Sequence, residues 1–476
     1  MSNRLMCLSL PVALTFFAAL LLAVALQGTG ARDSLAVWTP SEPSLNSPKN
    51  IRDPWRLRSF ETACPNDFFG FRQQEGNLKE ADVTATAAAR LDLLDSLRGF
   101  ALMGLFLFHS VELYELFWLK NDYGAVFTWS AGLFSGKSYA LMSLCFGVSF
   151  FLIMQGAARR GQDYRGRFAW RLTILLGIGL LHGLVYRGDI LQVIAVLGFA
   201  MLLLDRIRSN RTLLVLAGVC FLQLPLLLRA WAASQGFSWG LTPPLYFADQ
   251  SLLVLANGAL LEAVRAGATE GFVAKWSYFI EAGRVVQMLG LFMVGLVLGR
   301  IGFFAEPGRF RKARRLLLLV SLVVAPILYF QAYGLLDAAV ADGPVRQNLR
   351  SLLDNWTGLA IATVQLLLFV ELYETAARPL LRVFAAPGRM TLTLYVGQSI
   401  VFVPIYYGFG LGLYDDLDAA RSLTIGIAAF AIQTIVAHVW FRHFHYGPLE
   451  WVWRAATRTS LEVPFVKVPA VAAARD

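Results

Sequence analysis

The chain has 476 residues, 57% of them hydrophobic and only 16% charged, with a formal net charge of +10. So apolar a composition over this length excludes a soluble multidomain protein, and repeated apolar runs of about 20 residues indicate a polytopic helical membrane protein. The positive charge lies in short connectors between those runs, not in a basic tail or face, which argues against nucleic acid as a partner.

In chain order, residues 8–26 form an apolar segment followed by the small residues 28–31. This first unit, 1–31, reads as a cleaved signal peptide or as an uncleaved anchor. Residues 32–89 are polar and contain Pro40, Pro43, Pro48, Pro54 and Pro65, the composition of a tether without a core. A membrane domain is placed at 90–458 and a tail at 459–476. Within it, about ten apolar segments are expected to be spans: 100–118, 134–155, 168–185, 190–204, 213–231, 285–304, 316–333, 356–373, 390–413 and 423–441. The expected fold is an all-α, polytopic transmembrane helix bundle of about ten spans, plus one N-terminal apolar helix.

Arginines cluster after alternate segments: Arg159, Arg160, Arg165 and Arg167; Arg206, Arg208 and Arg211; Arg309, Arg311, Arg314 and Arg315; Arg378, Arg382 and Arg389. The positive-inside rule places these loops and the C-terminal tail in the cytoplasm. Arg98 then also lies inside. A cleaved signal would leave 32–89 outside with no span to return it, so an uncleaved first helix with its N-terminus outside fits the charges better. The four cysteines (Cys7, Cys64, Cys145 and Cys220) are scattered and imply neither a disulfide framework nor a metal site.

Ionisable and polar groups inside apolar runs are costly and are the functional candidates. Segment 91–110, LDLLDSLRGFALMGLFLFHS, opens with Asp92, Asp95 and Arg98 and carries His109 deep in its apolar part, with Glu112 three residues on. A His109–Glu112 contact would raise the basicity of the ring. The rival reading is a packing histidine. In LLHGLVYRGDILQVIAVLGF, a very short turn joins two segments and sets His182 and Asp189 near the outer face, with Arg187 as an exposed partner. Asp189 and Gln192 also have capping-box spacing for the helix that follows. Arg98, Arg159, Arg167, Arg171 and Arg389 form a basic inner face suited to a phosphate-rich ligand, whereas Asp95–Arg98 alone could be a surface pair. Thr391, Tyr395 and Gln398 share one helix face, as interhelical polar contacts or as a substrate path. His438, His443 and His445 lie close in sequence, but the i,i+2 spacing of the last two points them to different helix faces, and no metal site is assigned.

The blocks LDLLDSLRGFALMGLFLFHS, SLCFGVSFFLIMQ, RLTILLGIGLLHGLVYRGDILQVIAVLGF, PGRMTLTLYVGQSIVFVPIYYGFGLGLY and HYGPLEWVWRAATR, in order over about residues 91–458, resemble the YeiB-like family, a bacterial membrane family of unknown function (domain of unknown function 418). That family is distantly similar to transmembrane acyltransferases, including the lysosomal heparan-α-glucosaminide N-acetyltransferase, through the D-x-x-R-G start and the helix after it. The resemblance implies transfer of an acyl group from cytoplasmic acyl-CoA to an extracytoplasmic acceptor: an envelope glycan, a lipid or a secreted metabolite. Ten residues after Gly99, where the acetyltransferases carry a functional asparagine, this chain has His109. Their active-site histidine in the first outer loop has no counterpart, since 118–135 contains none.

The resulting expectation is an acyltransferase with His109, His182 and Asp189 as catalytic candidates. Arg98, Asp95, Arg167, Arg171 and Arg389 would hold the donor, and Glu112, Gln192, Thr391, Tyr395 and Gln398 would line the substrate path. Acyl-CoA is the donor, with no tightly bound cofactor. The partners are the lipid bilayer and a small-molecule, glycan or lipid acceptor, and homo-oligomerisation is left open. The expected location is the bacterial cytoplasmic (inner) membrane. A transporter or exporter, and a non-enzymatic assembly protein, are the competing readings.

Overall fold

The computed structural model describes residues 92–120 and 124–467. The expected N-terminal helix and tether therefore lie outside the described residues. The helices that matter below are α1 (Asp92–Val111), α2 (Ala125–Phe134), α3 (Ser138–Ala158), α4 (Arg165–Gly183), α5 (Leu191–Leu204), α6 (Asn210–Phe221) and α7 (Leu224–Ser234). They are followed by α8 (Ser251–Asn257), α9 (Leu260–Ala268), α10 (Glu270–Glu281), α11 (Arg284–Arg300), α12 (Arg311–Pro326), α13 (Pro344–Tyr373), α14 (Thr391–Tyr406), α15 (Ala419–His443) and α16 (Pro448–Arg458). Among the described residues the only β pairing is an isolated bridge between Phe444 and Val466.

Each of the ten apolar segments forms helix, but the count of ten spans is corrected. Among the described residues six helical runs are long and apolar enough to cross a bilayer, or seven if α10 and α11, which meet at 62°, count as one broken span. Length and charge explain the shortfall. The 14 residues of α5 and the 16 of α14 reach only about 21–24 Å, short of a hydrocarbon core of about 30 Å. α4 carries Arg165, Arg167 and Arg171 in its first two turns. The runs containing α12 and α15 bury only 22% of their apolar windows, so they form the lipid-facing edge of the multi-pass bundle.

Small residues set the closest crossings. Gly295 and Gly299, four apart on α11, meet α3 at Leu144, Gly147 and Phe151, where a methyl on Gly147 or Gly295 would overlap the opposing carbonyls of Phe292 and Leu144. Without a hydrophobic drive between helices in lipid, such small-residue contacts let dispersion hold the pair. The D-x-x-R-G start is explained in the same way. A methyl on Gly99 would overlap the Phe384 carbonyl, and one on Gly388 the Asp95 carbonyl, so the two motifs pack backbone to backbone.

The arginine-rich connectors gather at one end. Arg300 donates to the Ile207 carbonyl (2.8 Å) and pairs with Asp205 (3.4 Å), Arg314 pairs with Glu371 (2.9 Å), and Arg382 pairs with Asp92 (2.8 Å). At the opposite end the 232–283 connector is not a loose loop. Its helices α8, α9 and α10 fold over the turn between α4 and α5, with Gly267 packed on the Gly183 and Leu184 carbonyls and the Leu255 carbonyl accepting from Gly408 N–H at 3.0 Å.

Candidate functional site

The turn between α4 and α5 holds a buried polar pair. His182 Nδ1 lies 2.8 Å from Asp189 Oδ1, and Asp189 is fully buried. The backbone N–H of Gln192 donates to Asp189 Oδ2 at 3.0 Å, so the carboxylate caps α5 as its spacing predicts. The Gln192 side chain completes no capping box; its Nε2 donates to the Gly179 carbonyl (2.8 Å) and ties α5 to α4. With Nδ1–H donated to the carboxylate, His182 Nε2 carries the lone pair, and this atom is buried without a hydrogen-bond partner among the described residues. The Tyr395 hydroxyl accepts from Ile190 N–H (3.2 Å), and its ring centroid lies 5.1 Å from that of His182.

His109 joins this cluster through Tyr186. Its Nδ1 is 2.9 Å from the Tyr186 hydroxyl, and the Tyr186 ring lies 5.3 Å from His109 and 5.9 Å from His182. Glu112 sits 3.7 Å from His109 and accepts from the Trp118 indole N–H at 2.8 Å. The three catalytic candidates thus share one cluster, with Tyr186 as its centre.

The neighbouring backbone is strained. After α1, Leu113, Tyr114 and Glu115 all adopt positive φ (52°, 51° and 80°), a left-handed turn costing roughly 1–3 kcal/mol per residue that survives only where surrounding contacts enforce it. Those contacts are present. The Tyr407 hydroxyl donates to the Tyr114 carbonyl (3.1 Å), and the Tyr114 ring packs on Tyr186 at 5.1 Å. Glu115 is turned onto Arg187. Arg187 is therefore not an exposed partner of Asp189: it is ion-paired with Glu115 and Asp249 and donates to Ser251 Oγ at 2.9 Å, latching the α8 segment over the turn. Lys275 of α10 is buried on the same side, next to Gly183.

At the arginine-rich end, a cleft of about 720 Å³ is lined by Arg160, Arg167, Arg171, Arg454 and Arg458, with Glu462 as the sole acid among the described residues. Helix α16 builds one wall: Trp453 Nε1–H donates to the Arg171 carbonyl (2.8 Å), and the Arg171 guanidinium stacks 3.6 Å from the Trp453 ring. Arg167 and Arg171 fall in the cleft as the sequence suggests. Arg98, Asp95 and Arg389 do not line it. Arg98 pairs with Asp95 (2.7 Å) and donates to Ser149, and Arg389 stacks 4.0 Å over Phe441. Arg454 and Arg458, four apart on α16, were legible as a helix-face pair only once their helix was known to dock on α4.

The other path candidates divide. Gln398 Nε2 donates to Gln433 Oε1 at 2.8 Å, an interhelical bond, and Thr391 bonds the Gly388 carbonyl at 2.8 Å. The Nδ1 atoms of His438 and His443 bond the carbonyls of Thr434 and Val439 one turn earlier, at 2.8 and 3.3 Å.

Comparison with known proteins finds relatives of the chain. The family model described as "Protein of unknown function (DUF418)" matches residues 298–460. The uncharacterized protein YxaH of Bacillus subtilis (strain 168) is 30% identical over 405 residues, covering 78% of this chain and 95% of the relative. The uncharacterized protein YeiB of Escherichia coli (strain K12) is 26% identical over 395 residues, covering 76% of this chain and 95% of the relative. An uncharacterized 39.9 kDa protein of Bacillus acidopullulyticus is 26% identical over 391 residues.

Proposed function

The chain belongs to the YeiB-like DUF418 family of bacterial membrane proteins, and from that premise we propose that it is a membrane acyltransferase, taking its acyl group from acyl-CoA. The observation that carries the reading is that one helix links the two sites. α4 has Arg171 in the basic cleft and His182 in the buried pair, 11 residues and so about 16 Å apart along its axis.

The five arginines suit the phosphates of CoA, which guanidinium groups grip as bidentate donors. The cleft then belongs at the cytoplasmic face by the positive-inside rule, with the C-terminus on the same side and the chain in the inner membrane. At the other site Asp189 fixes the His182 tautomer, and Nε2 acts as general base. An acceptor hydroxyl or amine gives its proton to Nε2 as its heteroatom attacks the thioester carbonyl. The C–S bond breaks, the proton passes to the departing thiolate, and CoA leaves as the free thiol. Tyr186, held by His109, orients the acceptor beside the base.

The test is release of free CoA thiol by the purified full chain in lipid nanodiscs, given acetyl-CoA and an envelope extract as acceptor. His182→Ala is expected to reduce acceptor-dependent release by about 10²–10⁴-fold. Wild-type turnover in that variant would remove His182 from the reaction.

A further inference from the structure

Three membrane helices are interrupted at one place, away from the His182 cluster. The run Ala125–Ala158 breaks between α2 and α3 at Gly136 (φ +77°), the run Asn210–Ser234 breaks at Gln223 (φ +56°), and α10 meets α11 across Gly283 (φ +74°). Interrupted backbone at membrane depth is tolerated only where protein satisfies it or where it lines a polar cavity. At 1.5 Å per residue from the arginine-rich end, Gln223 lies about 20 Å in and Arg284 about 24 Å in, the outer half of a core of about 30 Å.

The breaks converge on Asn355 of the unbroken helix α13. Asn355 Nδ2 donates to the Ala282 carbonyl (2.8 Å), Gln287 Nε2 donates to the Asn355 carbonyl (2.8 Å), and Arg284 Nη1 donates to Asn355 Oδ1 (2.6 Å) and to the Tyr139 hydroxyl (3.0 Å). A methyl on Gly136 would lie 3.6 Å from Arg284 Nη1, and one on Gly283 would overlap the Gln223 amide oxygen.

The charge at this junction is positive. Lys137 precedes the first turn of α3 and Arg284 opens α11, so two cations sit at two helix N-termini. Neither is ion-paired with a carboxylate among the described residues. Lys137 Nζ donates to the Ala131 carbonyl at 3.0 Å, and Tyr278 is a further partner of Arg284. The nearby Asp354 is exposed and accepts from the Tyr333 hydroxyl at 2.6 Å. Hydrogen-bonding capacity is also left over. Gln223 is 1% exposed, yet among the described residues neither its Nε2 nor its Oε1 has a partner, and Arg284 Nε is likewise buried and unpartnered. Native proteins seldom leave such groups unmet, and a bound ligand is one way to meet them.

We infer that the junction of Gly136, Gln223 and Gly283 is a binding site for a small monovalent anion, a carboxylate or a halide. Lys137 and Arg284 supply the potential, and the Gln223 amide and Arg284 Nε supply the free donors. With Asp354 offsetting one of the two cations, a single negative charge balances the site. The two cations make it hostile to a further cation. The site is independent of acyl transfer and would persist if the His182 assignment failed.

The test is thermal unfolding of the detergent-solubilised full chain, titrated in parallel with sodium acetate and with sodium chloride. Wild-type protein and the Gln223→Leu and Arg284→Gln variants are compared. General salt effects act on all three alike. The wild type is expected to gain a saturable rise in unfolding temperature with acetate, chloride or both, and the more potent salt names the anion class. In Gln223→Leu and in Arg284→Gln the half-saturating concentration should rise by about tenfold or more. Gln223→Leu should also unfold no lower than wild type in anion-free buffer, because leucine removes an amide that has no partner among the described residues. Identical salt responses in the three proteins, or loss of folded Gln223→Leu in anion-free buffer, would overturn the proposal.

Discussion

Asp189→Asn is expected to fold and to lose acyl transfer by a factor on the order of 10⁴. The buried carboxylate has two partners, His182 Nδ1 at 2.8 Å and the Gln192 N–H at 3.0 Å. Asparagine keeps an acceptor for Gln192 N–H, so the N-terminus of α5 remains capped. Its amide N–H would face His182 Nδ1, however, and favour the tautomer with the lone pair there. The proton then sits on Nε2, which can no longer act as a base. Unfolding in detergent and CoA-thiol release, measured side by side, separate the two effects. An Asp189→Asn protein with near-wild-type melting and turnover within tenfold of wild type would show that the pair is structural.

Arg314→Met is expected to cost about 3–5 kcal/mol of stability, the largest single loss at the arginine-rich end. The Arg314 guanidinium is fully buried and bridges α12 to α13. It pairs with Glu371 at 2.9 Å, pairs with Glu374, and donates to the Pro307 carbonyl at 2.8 Å. Removing it leaves two partly buried carboxylates facing an apolar side chain. Arg315 also reaches Glu371, at 3.4 Å, but its side chain is 62% exposed, and Arg315→Met should cost under about 1 kcal/mol. Equal melting shifts in the two variants would contradict this ordering.

Helix positions were legible because apolar runs at spanning length leave little choice in a bilayer, and each of the ten segments does form helix. The span count was not, because hydropathy does not see that α5 and α14 are too short or that α4 starts among arginines. His109, His182 and Asp189 stood out as isolated ionisable groups in apolar surroundings, and the short loop placed two of them together. The bridge between them was hidden. Tyr186 looks like any interfacial tyrosine until the left-handed turn at Leu113–Glu115 brings Tyr114 onto its ring. Arg187 read as exposed for a similar reason: its partners Glu115 and Asp249 lie 72 and 62 residues away in sequence, and no periodicity reports such pairings. The D-x-x-R-G start carried a strong motif signal whose visible role is packing, since Gly99 is where the Phe384–Gly388 backbone touches α1. The junction at Gln223 gave no sequence signal, because a glutamine inside an apolar run does not show that the helix stops there.

We propose that the arginine cleft receives acyl-CoA for the His182 site. Equilibrium binding of labelled acetyl-CoA to the full chain in nanodiscs tests it most directly, with His182→Ala and a combined Arg160→Gln, Arg171→Gln, Arg458→Gln variant measured beside wild type. Saturable micromolar binding is predicted for the wild type and for His182→Ala, and a loss of a hundredfold or more, about 2.7 kcal/mol, for the triple variant. No saturable binding at high micromolar concentration, or binding indifferent to the three arginines, would contradict the account.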